Sequence, residues 1–203
     1  MISWVVASHR EDVLQDVLLA SLGDLPDDDE LVVIRDAPSM TLAYTEGQAK
    51  AANPVRCYVH HDVRVLDLPR LRAELTAATV GHGMVGVVGS RDALMPWWDG
   101  DRLGSVVDTR MGLLDFGRGG QCAMLDGLLL ATREHVDWDV DAPGWHGYDH
   151  DACAQMLERD LWNRCLTGGH LLVEHVNESP SDTSLLAGWD EAVARFRSRW
   201  LTD

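Results

Sequence analysis

Short apolar runs alternate with segments of helical periodicity through roughly the first 90 of the chain's 203 residues. Four runs rich in Val, Ile and Leu are typical of buried strands, at residues 2–7, 31–34, 55–60 and 84–89. Helical spacing of apolar side chains lies between them, at residues 13–22, 39–52 and 67–78. Because strands alternating with helices favour a parallel sheet covered on both faces, the pattern predicts an α/β fold with a mostly parallel central sheet.

Local signals mark the ends of these helices. Ser39 and Asp67 precede periodic segments and are predicted to cap helices with their side-chain oxygens. Gly23 is placed to end the first helix. The acidic run at residues 27–30 is most simply a solvent-exposed turn.

The second half of the chain is patterned less regularly. Residues 90–120 hold Gly, Asp, Arg and aromatic side chains without periodicity, which predicts a long functional or mobile loop. A strand is expected within 122–131, a helix from about 151 to 165 and a last strand at 170–176. Trp189 and Trp200 lie at helical spacing in a closing helix, which favours core packing for both. One domain, residues 1–203, is therefore predicted.

The charge balance excludes some partners. The chain has 17 Lys and Arg against 33 Asp and Glu, a formal net charge of −16. Such a surface repels phosphate backbones and anionic lipid headgroups, so we expect neither nucleic-acid nor membrane-surface binding. The sequence has no apolar stretch long enough to span a bilayer and starts without a basic signal segment, so we expect a cytoplasmic protein. Its four cysteines lack CxxC spacing and are expected to be reduced thiols, mostly in the core.

Polar residues follow the predicted strands at their carboxyl ends, where open α/β sheets bind ligands. In strand order they are Ser8 and His9, then Asp36, then His60, His61 and Asp62, then Ser90 and Arg91. Imidazole and carboxylate groups at the end of a buried strand can hold a divalent cation, and strand alternation directs His60 and Asp62 to one side. The alternative for this triplet is a pair of surface histidines.

A second polar cluster opens a predicted helix. Its members are His146, Tyr148, Asp149, His150 and Asp151. A carboxylate in this position can cap the helix or act as a general base. His175, at the end of the last strand, is either a ligand or an ordinary surface histidine.

Three tryptophans, Trp97, Trp98 and Trp145, lie outside helical periodicity. Aromatic faces stack on sugars and bases, which would make these residues part of a binding site. Packing of the long loop onto the sheet is the alternative.

Together these segments resemble the glycosyltransferase-like proteins of the family-2 type, which have the GT-A fold. The resemblance covers nearly the whole chain and is carried by ISWVVASHRED, APSMTLAYTEGQAKA, YVHHDV, GVVGS, PWWDGDRLGSVVD, MLDGLLLATRE, WHGYDHDACAQM and VEHV. The triplet HHD is similar to a His-x-Asp variant of the family's Asp-x-Asp metal motif, and YDHDAC to the segment with the acidic base. The resemblance implies a Rossmann-like sheet, a nucleotide-binding half at about 1–90 and an acceptor and catalytic half at about 91–203.

The resemblance also implies roles for individual residues. Asp62, His60 and His175 would bind Mn²⁺ or Mg²⁺, and the base would be Asp151, with Asp149 as its close rival. The resemblance places Ser8 and Asp36 near the nucleotide and Asp126 near the donor sugar or the acceptor. Because the acidic chain has few basic groups for an anionic donor, Arg91 is added on the nucleotide side. The other residues expected on the sugar and acceptor side are Trp97, Trp98, Trp145, His146 and Tyr148.

The implied activity is metal-dependent, inverting transfer of a sugar, of the hexosyl type, from a nucleoside diphosphate sugar to a hydroxyl acceptor. A second hypothesis is a non-catalytic nucleotide-sugar-binding or accessory protein with the same fold. A third is a metal hydrolase that uses His146 and His150, which are four residues apart and could share a helical face.

Overall fold

The computed structural model describes residues 1–142, 144–166, 171–176 and 188–201. The helices of these ranges are α1, continuous through Glu11–Val13, a π-helical stretch Leu14–Leu19 and Ala20–Leu22, then α2 Met40–Lys50, α3 Leu68–Ala78, α4 Tyr148–Glu158 and α5 Trp189–Trp200. The strands are β1 Ile2–Ser8, β2 Glu30–Arg35, β3 Val55–His60, β4 Val63–Val65, β5 Val85–Gly86, β6 Val88–Ser90, β7 Arg102–Asp108, β8 Gly112–Asp115, β9 Gly120–Cys122, β10 Met124–Leu125, β11 Leu129–Thr132, β12 Asn163–Cys165 and β13 Val173–His175. None of the described helices is long and apolar enough to cross a membrane.

The central sheet has the strand order β2-β1-β3-β11-β5-β12-β9. Strand β1 pairs in parallel with both β2 and β3, so the chain crosses the sheet in opposite directions after β1 and after β2. Because such crossovers are right-handed, α1 and α2 cover opposite faces, as the sequence predicts. The α/β class and the helices on both faces are confirmed.

The sheet is mixed, where the sequence predicts a mostly parallel one. Parallel pairs occur at β2-β1, β1-β3 and β5-β12, whereas β11 is antiparallel to both β3 and β5. A parallel pair needs a long crossover connection, usually a helix. The chain between β6 and β11 instead builds mainly strands of another sheet, with only β9 in the central one, and β11 then enters the central sheet in the opposite direction.

That second sheet has the order β10-β6-β7-β13-β4, and β8 pairs with β7. Strands β7 and β8 lie within residues 90–120, so the prediction of a long irregular loop there is wrong. Most of β7 is buried, which hides the alternation that marks a half-exposed strand. The predicted strand at 84–89 is divided between the two sheets as β5 and β6.

Helix ends follow the local signals in the first half. The side chains of Ser39 and Asp67 accept hydrogen bonds from the N–H groups of Leu42 and Arg70, and Gly23 ends α1 with φ of +56°. In the second half α4 begins at Tyr148 and ends at Glu158, and β12 occupies the last part of the predicted helix. Asn163 fixes that strand, because its side chain bonds to three backbone groups.

The four cysteines are free and buried, as predicted. The predicted last strand is confirmed over Val173–His175, and its first residue, 170, lies outside the described residues.

The acidic run at residues 27–30 is not a freely solvated turn. Asp29 is fully shielded at its side chain, where it accepts hydrogen bonds from Ile2 N at 2.8 Å and Trp4 Nε1 at 3.1 Å. Its Oδ2 also lies 2.6 Å from Nε of Arg72 on α3. One carboxylate therefore ties the start of β1 to α3, an arrangement that local sequence does not reveal.

We expect Asp29→Ala to lower the free energy of unfolding by about 3 kcal/mol, because it removes one partner of a buried ion pair and leaves two donors unpaired. Asp27→Ala, at an exposed position in the same turn, should change it by less than about 0.5 kcal/mol. Urea unfolding of both variants measures the difference, and equal effects would show that Asp29 is an ordinary turn residue.

Candidate functional site

Strand register brings together three polar residues that are far apart in sequence, Asp62, Asp108 and His175. Strand β3 ends at His60 and β4 begins at Val63, so His61 and Asp62 form the turn between the two sheets. Strand β13 lies between β4 and β7, with His175 opposite both Val63 and Asp108. His175 and Asp108 thus meet although they are 67 residues apart in sequence.

The side chains of this cluster are joined through His175. Its Nδ1 lies 2.9 Å from Oδ2 of Asp108, and its Nε2 lies 3.3 Å from Oδ2 of Asp62. Asp108 is itself held in place, because its Oδ1 accepts the N–H groups of Arg110 and Met111. His60 completes the cluster, with Nδ1 3.9 Å from Oδ1 of Asp62.

The electrostatics follow from burial and from these contacts. Burial alone would raise the pKa of Asp62, but the hydrogen bond from His175 and the neighbouring imidazoles lower it to about 2. Burial alone would lower the pKa of His175, but Asp62 and Asp108 raise it to about 9. The pKa of His60 is lowered by its burial, against the opposing charge of Asp62. Asp62 is thus ionised at neutral pH, His175 protonated and His60 neutral.

The residues present fit a divalent cation. With the side chains as they stand, the described part of the chain has no group of three His, Cys, Asp or Glu arranged around a metal position. Oδ1 of Asp62, however, is buried without a hydrogen-bond partner among the described residues. A buried carboxylate oxygen is costly unless something satisfies it. Carboxylate ligands suit Mn²⁺ and Mg²⁺, and imidazole is a common ligand of transition metals.

The second polar cluster lies at the start of α4, next to the first. Oη of Tyr148 is 2.6 Å from Nε2 of His60. Oδ2 of Asp149 accepts the N–H of Gly127 at 3.0 Å, and its Oδ1 accepts from N and Nδ1 of His150. Burial opposes ionisation of Asp149, but His150 outweighs that effect and lowers the pKa of the carboxyl.

Asp151 has different surroundings from Asp149. Its Oδ2 accepts from Gln155, while its Oδ1 lies 2.7 Å from Nε1 of Trp200 and 3.1 Å from Nη1 of Arg199, both on α5. It also lines a solvent-open pocket between α4 and α5. Asp149 therefore lies toward the cation-ligand candidates and Asp151 toward α5.

The proposed hydrolase pair is not formed. His146 precedes α4, from which the left-handed Gly147 separates it, so His146 and His150 do not share a helical face. His150 is buried, with Nδ1 on Asp149 and Nε2 accepting the N–H of Trp97 at 3.2 Å. Both ring nitrogens of His150 therefore already have hydrogen-bond partners within the protein.

The three loop tryptophans differ in accessibility. Trp97 is buried, and its Nε1 donates to Oδ2 of Asp126 at 2.9 Å. Trp98 is 46% exposed and stacks on Trp189 of α5 at 5.3 Å between ring centroids. Trp145 is half-buried. Packing thus accounts for Trp97, while Trp98 presents an open aromatic surface.

The closing helix contributes more than core packing, which the sequence predicts for its tryptophans. Trp189 and Trp200 are only partly buried. Trp189 stacks on Trp98 and meets the ring of His146 edge-on, and Trp200 bonds to Asp151.

The residues predicted near the nucleotide fall in two places. Ser8 ends β1 and Asp36 follows the neighbouring strand β2, and the N–H of Asp36 donates to the Ser8 carbonyl at 3.0 Å. The next residue, His9, packs its ring edge-on against His61 at 5.0 Å between centroids. His61 lies in sequence between the metal candidates His60 and Asp62, so the nucleotide candidates and the metal candidates are neighbours. Arg91 directly follows β6 and is exposed, and its guanidinium pairs with Asp101.

Sequence reasoning missed two residues of the site, Asp108 and Gly127. Asp108 ends β7, so the search for polar residues at strand ends would have found it had β7 been predicted. A Cβ at Gly127 would lie 2.0 Å from Oη of Tyr148, a constraint that only the fold creates.

Comparisons with known proteins agree with this architecture. The chain is similar to the structure of GalNAc-T7 with UDP, GalNAc and Mn²⁺, at 12% sequence identity and a TM-score of 0.60. The similarity covers 100% of this chain and 55% of the GalNAc-T7 chain. The chain therefore spans about half the length of that protein and has a GT-A-like fold. A197 from STIV matches over 81% of each chain at 11% identity, but its TM-score of 0.45 is too low to argue from. No curated protein sequence matches the chain.

The sequence assigns the family. Residues 25–164 match the profile of the Glycosyltransferase like family, which is well over half of the chain. The chain belongs to this glycosyltransferase-like family, as the resemblance of its motifs implies.

The His175 contacts predict a pH dependence of stability. Because folding raises the pKa of His175 from about 6.5 to about 9, its contribution is complete below about pH 6.5 and is lost as the pH rises through about 9. Folding lowers the pKa of Asp62 from about 3.8 to about 2, so its contribution to stability is complete above about pH 3.8 and is lost only as the pH falls through about 2. We expect the melting temperature of the metal-stripped protein to fall between about pH 7 and 9, and to fall less in His175→Gln. Parallel curves for the two proteins would contradict this origin.

Proposed function

We propose that the chain is a metal-dependent, inverting glycosyltransferase that moves a sugar, of the hexosyl type, from a nucleoside diphosphate sugar to a hydroxyl acceptor. The observation that carries the proposal is the buried, unpartnered Oδ1 of Asp62 in a cluster with His60 and His175. Such a cluster at the end of a strand in a glycosyltransferase-like family member is suited to a cation that a diphosphate can share. The similarity to a protein bound to UDP and Mn²⁺ supports the choice of ligands.

In this mechanism Asp62, His60 and His175 would hold Mn²⁺ or Mg²⁺. Because only a neutral imidazole binds a metal, His175 would release its Nε2 proton to solvent when the cation is bound. The cation would neutralise negative charge on the departing nucleoside diphosphate. Asp108 orients His175 through Nδ1, so that Nε2 faces Asp62, in the manner of carboxylate-histidine pairs at metal sites. Neutralisation by a cation matters in this protein because its net charge of −16 would otherwise repel an anionic donor.

The base has two candidates, and the geometry favours Asp149. Asp149 bonds to Gly127, whose surroundings include the Tyr148 hydroxyl that contacts His60. Because Nε2 of His150 accepts from Trp97, the imidazole proton lies on Nδ1 and is donated to Asp149. That bond keeps the carboxylate ionised and fixed in position for removing a proton from the acceptor hydroxyl. Asp151 would instead have to release Arg199 and Trp200.

The remaining predicted residues are proposed as binding groups. Ser8, Asp36 and Arg91 would contact the donor nucleotide or its phosphates. Asp126 and Trp97 hold each other, so their role would be to shape the wall of the sugar site. Trp98, Trp145 and His146 would face the sugar or the acceptor, with Trp189 as the second ring of the Trp98 platform. Tyr148 is buried against His60 and would not face the substrate directly.

One observation favours a second candidate, a non-catalytic nucleotide-sugar-binding protein. Both acids of α4 are fully engaged, Asp149 by Gly127 and His150, and Asp151 by α5. Release of nucleoside diphosphate across a panel of sugar donors distinguishes the two, because a binding protein would bind donors without releasing the nucleotide.

We expect a nucleoside diphosphate and Mn²⁺ together to raise the melting temperature of the metal-stripped protein, since ligands that bind the native state stabilise it. UDP and GDP, with and without Mn²⁺, are the probes. Asp62→Asn should lose the metal-dependent part of the shift, whereas Asp27→Asn, at an exposed position in the turn before β2, should keep it. An unchanged shift in Asp62→Asn would reject this cation site.

The two acids can be separated by charge-neutral substitutions. If Asp149 is the base, Asp149→Asn should reduce sugar transfer about 10²- to 10⁴-fold without weakening nucleotide binding. Asp151→Asn, in the same turn of α4, should stay within about tenfold of wild type. The opposite ranking of transfer rates would assign the base to Asp151.

A further inference from the structure

One contact links the cation-ligand candidates to the helix that carries the candidate bases. Oη of Tyr148, the first residue of α4, lies 2.6 Å from Nε2 of His60. On the other side of the imidazole, Nδ1 faces Oδ1 of Asp62 at 3.9 Å. The two ring nitrogens of His60 thus face a neutral hydroxyl and a carboxylate oxygen.

A neutral imidazole carries its proton on one nitrogen only, and the partner of that nitrogen determines which one is free to bind a metal. The gap of 3.9 Å between Nδ1 and Oδ1 is longer than a hydrogen bond. Within the described part of the chain Oδ1 has no other partner, so a proton on Nδ1 would be expected to draw the two groups together. The observed spacing therefore agrees with a proton on Nε2, where the Tyr148 oxygen can accept it.

We propose that Tyr148 is a positioning residue whose hydroxyl oxygen accepts the Nε2–H of His60 and so leaves the Nδ1 lone pair facing the same cation position as Asp62. The inference depends on the proposed function for the identity of the cation. The position of the proton on His60 does not depend on it.

The surroundings of Tyr148 fix its hydroxyl in this place. Its ring is buried and packs edge-on against Tyr44 at 5.6 Å between centroids. A Cβ on Gly127 would lie only 2.0 Å from Oη, so the hydroxyl occupies space that any other residue at 127 would fill. The N–H of Gly127 donates to Asp149 at 3.0 Å. The same turn therefore holds the hydroxyl and a candidate base.

Tyr148→Phe tests the proposal, because it removes the hydroxyl and keeps the ring. The matched control is Tyr58→Phe, in the same aromatic cluster, whose hydroxyl bonds to Gln48 at 3.0 Å instead of to a cation-ligand candidate. Mn²⁺ affinity is measured by calorimetry, with melting temperatures recorded in parallel. We expect Tyr148→Phe to bind Mn²⁺ about 10- to 100-fold more weakly, as is typical when a group that orients a metal ligand is removed, and Tyr58→Phe to match wild type. Equal affinity in Tyr148→Phe and wild type, or equal losses in both variants, would overturn the proposal.

A second measurement does not require a cation. Nitrogen-15 NMR of the metal-stripped protein, with the His60 signals assigned from His60→Gln, shows which ring nitrogen carries the proton. We expect the proton on Nε2 in wild type and a shift toward Nδ1 in Tyr148→Phe, whereas a proton on Nδ1 in wild type would overturn the inference. If wild type bound no Mn²⁺ at all, the proposed function would fail, and this measurement would still decide the role of Tyr148.

Discussion

The placement of β13 between β4 and β7 is the constraint on which the site depends. It sets His175 between two carboxylates, Asp62 and Asp108, that would otherwise repel each other in a partly buried place. The single positive charge of the imidazolium lies between the two carboxylates and offsets one of their two negative charges. Two neighbouring carboxylates favour a positive charge between them, and here the protonated His175 supplies it. A metal ion could supply the same positive charge, so the site is suited to binding one.

The start of α4 is the second organising element. Within three consecutive residues, Tyr148 reaches His60, Asp149 reaches Gly127, and His150 reaches Trp97. Each contact is to a different part of the chain, so the helix start fixes the cation-ligand candidates, the turn before β11 and the aromatic loop relative to one another. Asp149 therefore has a structural role in addition to its proposed chemical one.

The proposed acceptor side depends on α5, which supplies Trp189 to the aromatic platform and Arg199 and Trp200 to Asp151. The family match ends at residue 164, before this helix begins. The cation-ligand cluster likewise combines the matched segment with His175, which lies beyond it. The portion shared with the family thus includes both candidate bases and most of the central sheet, though not β1, while α5 shapes the surroundings of Asp151.

The sequence by itself determined the parts whose energy is local. The alternation of strands and helices from β1 to α3, the caps at Ser39 and Asp67, and the polar residues at strand ends all follow from hydrophobic period and side-chain chemistry within a few residues. His60, Asp62 and His175 could be nominated for that reason. Only the tertiary structure decided the mixed sheet, the strands β7, β8 and β12, and the contacts of Asp29, Asp108 and Gly127. These features depend on pairing between segments that are far apart in sequence. The residues around each paired position do not indicate which distant residue it will contact.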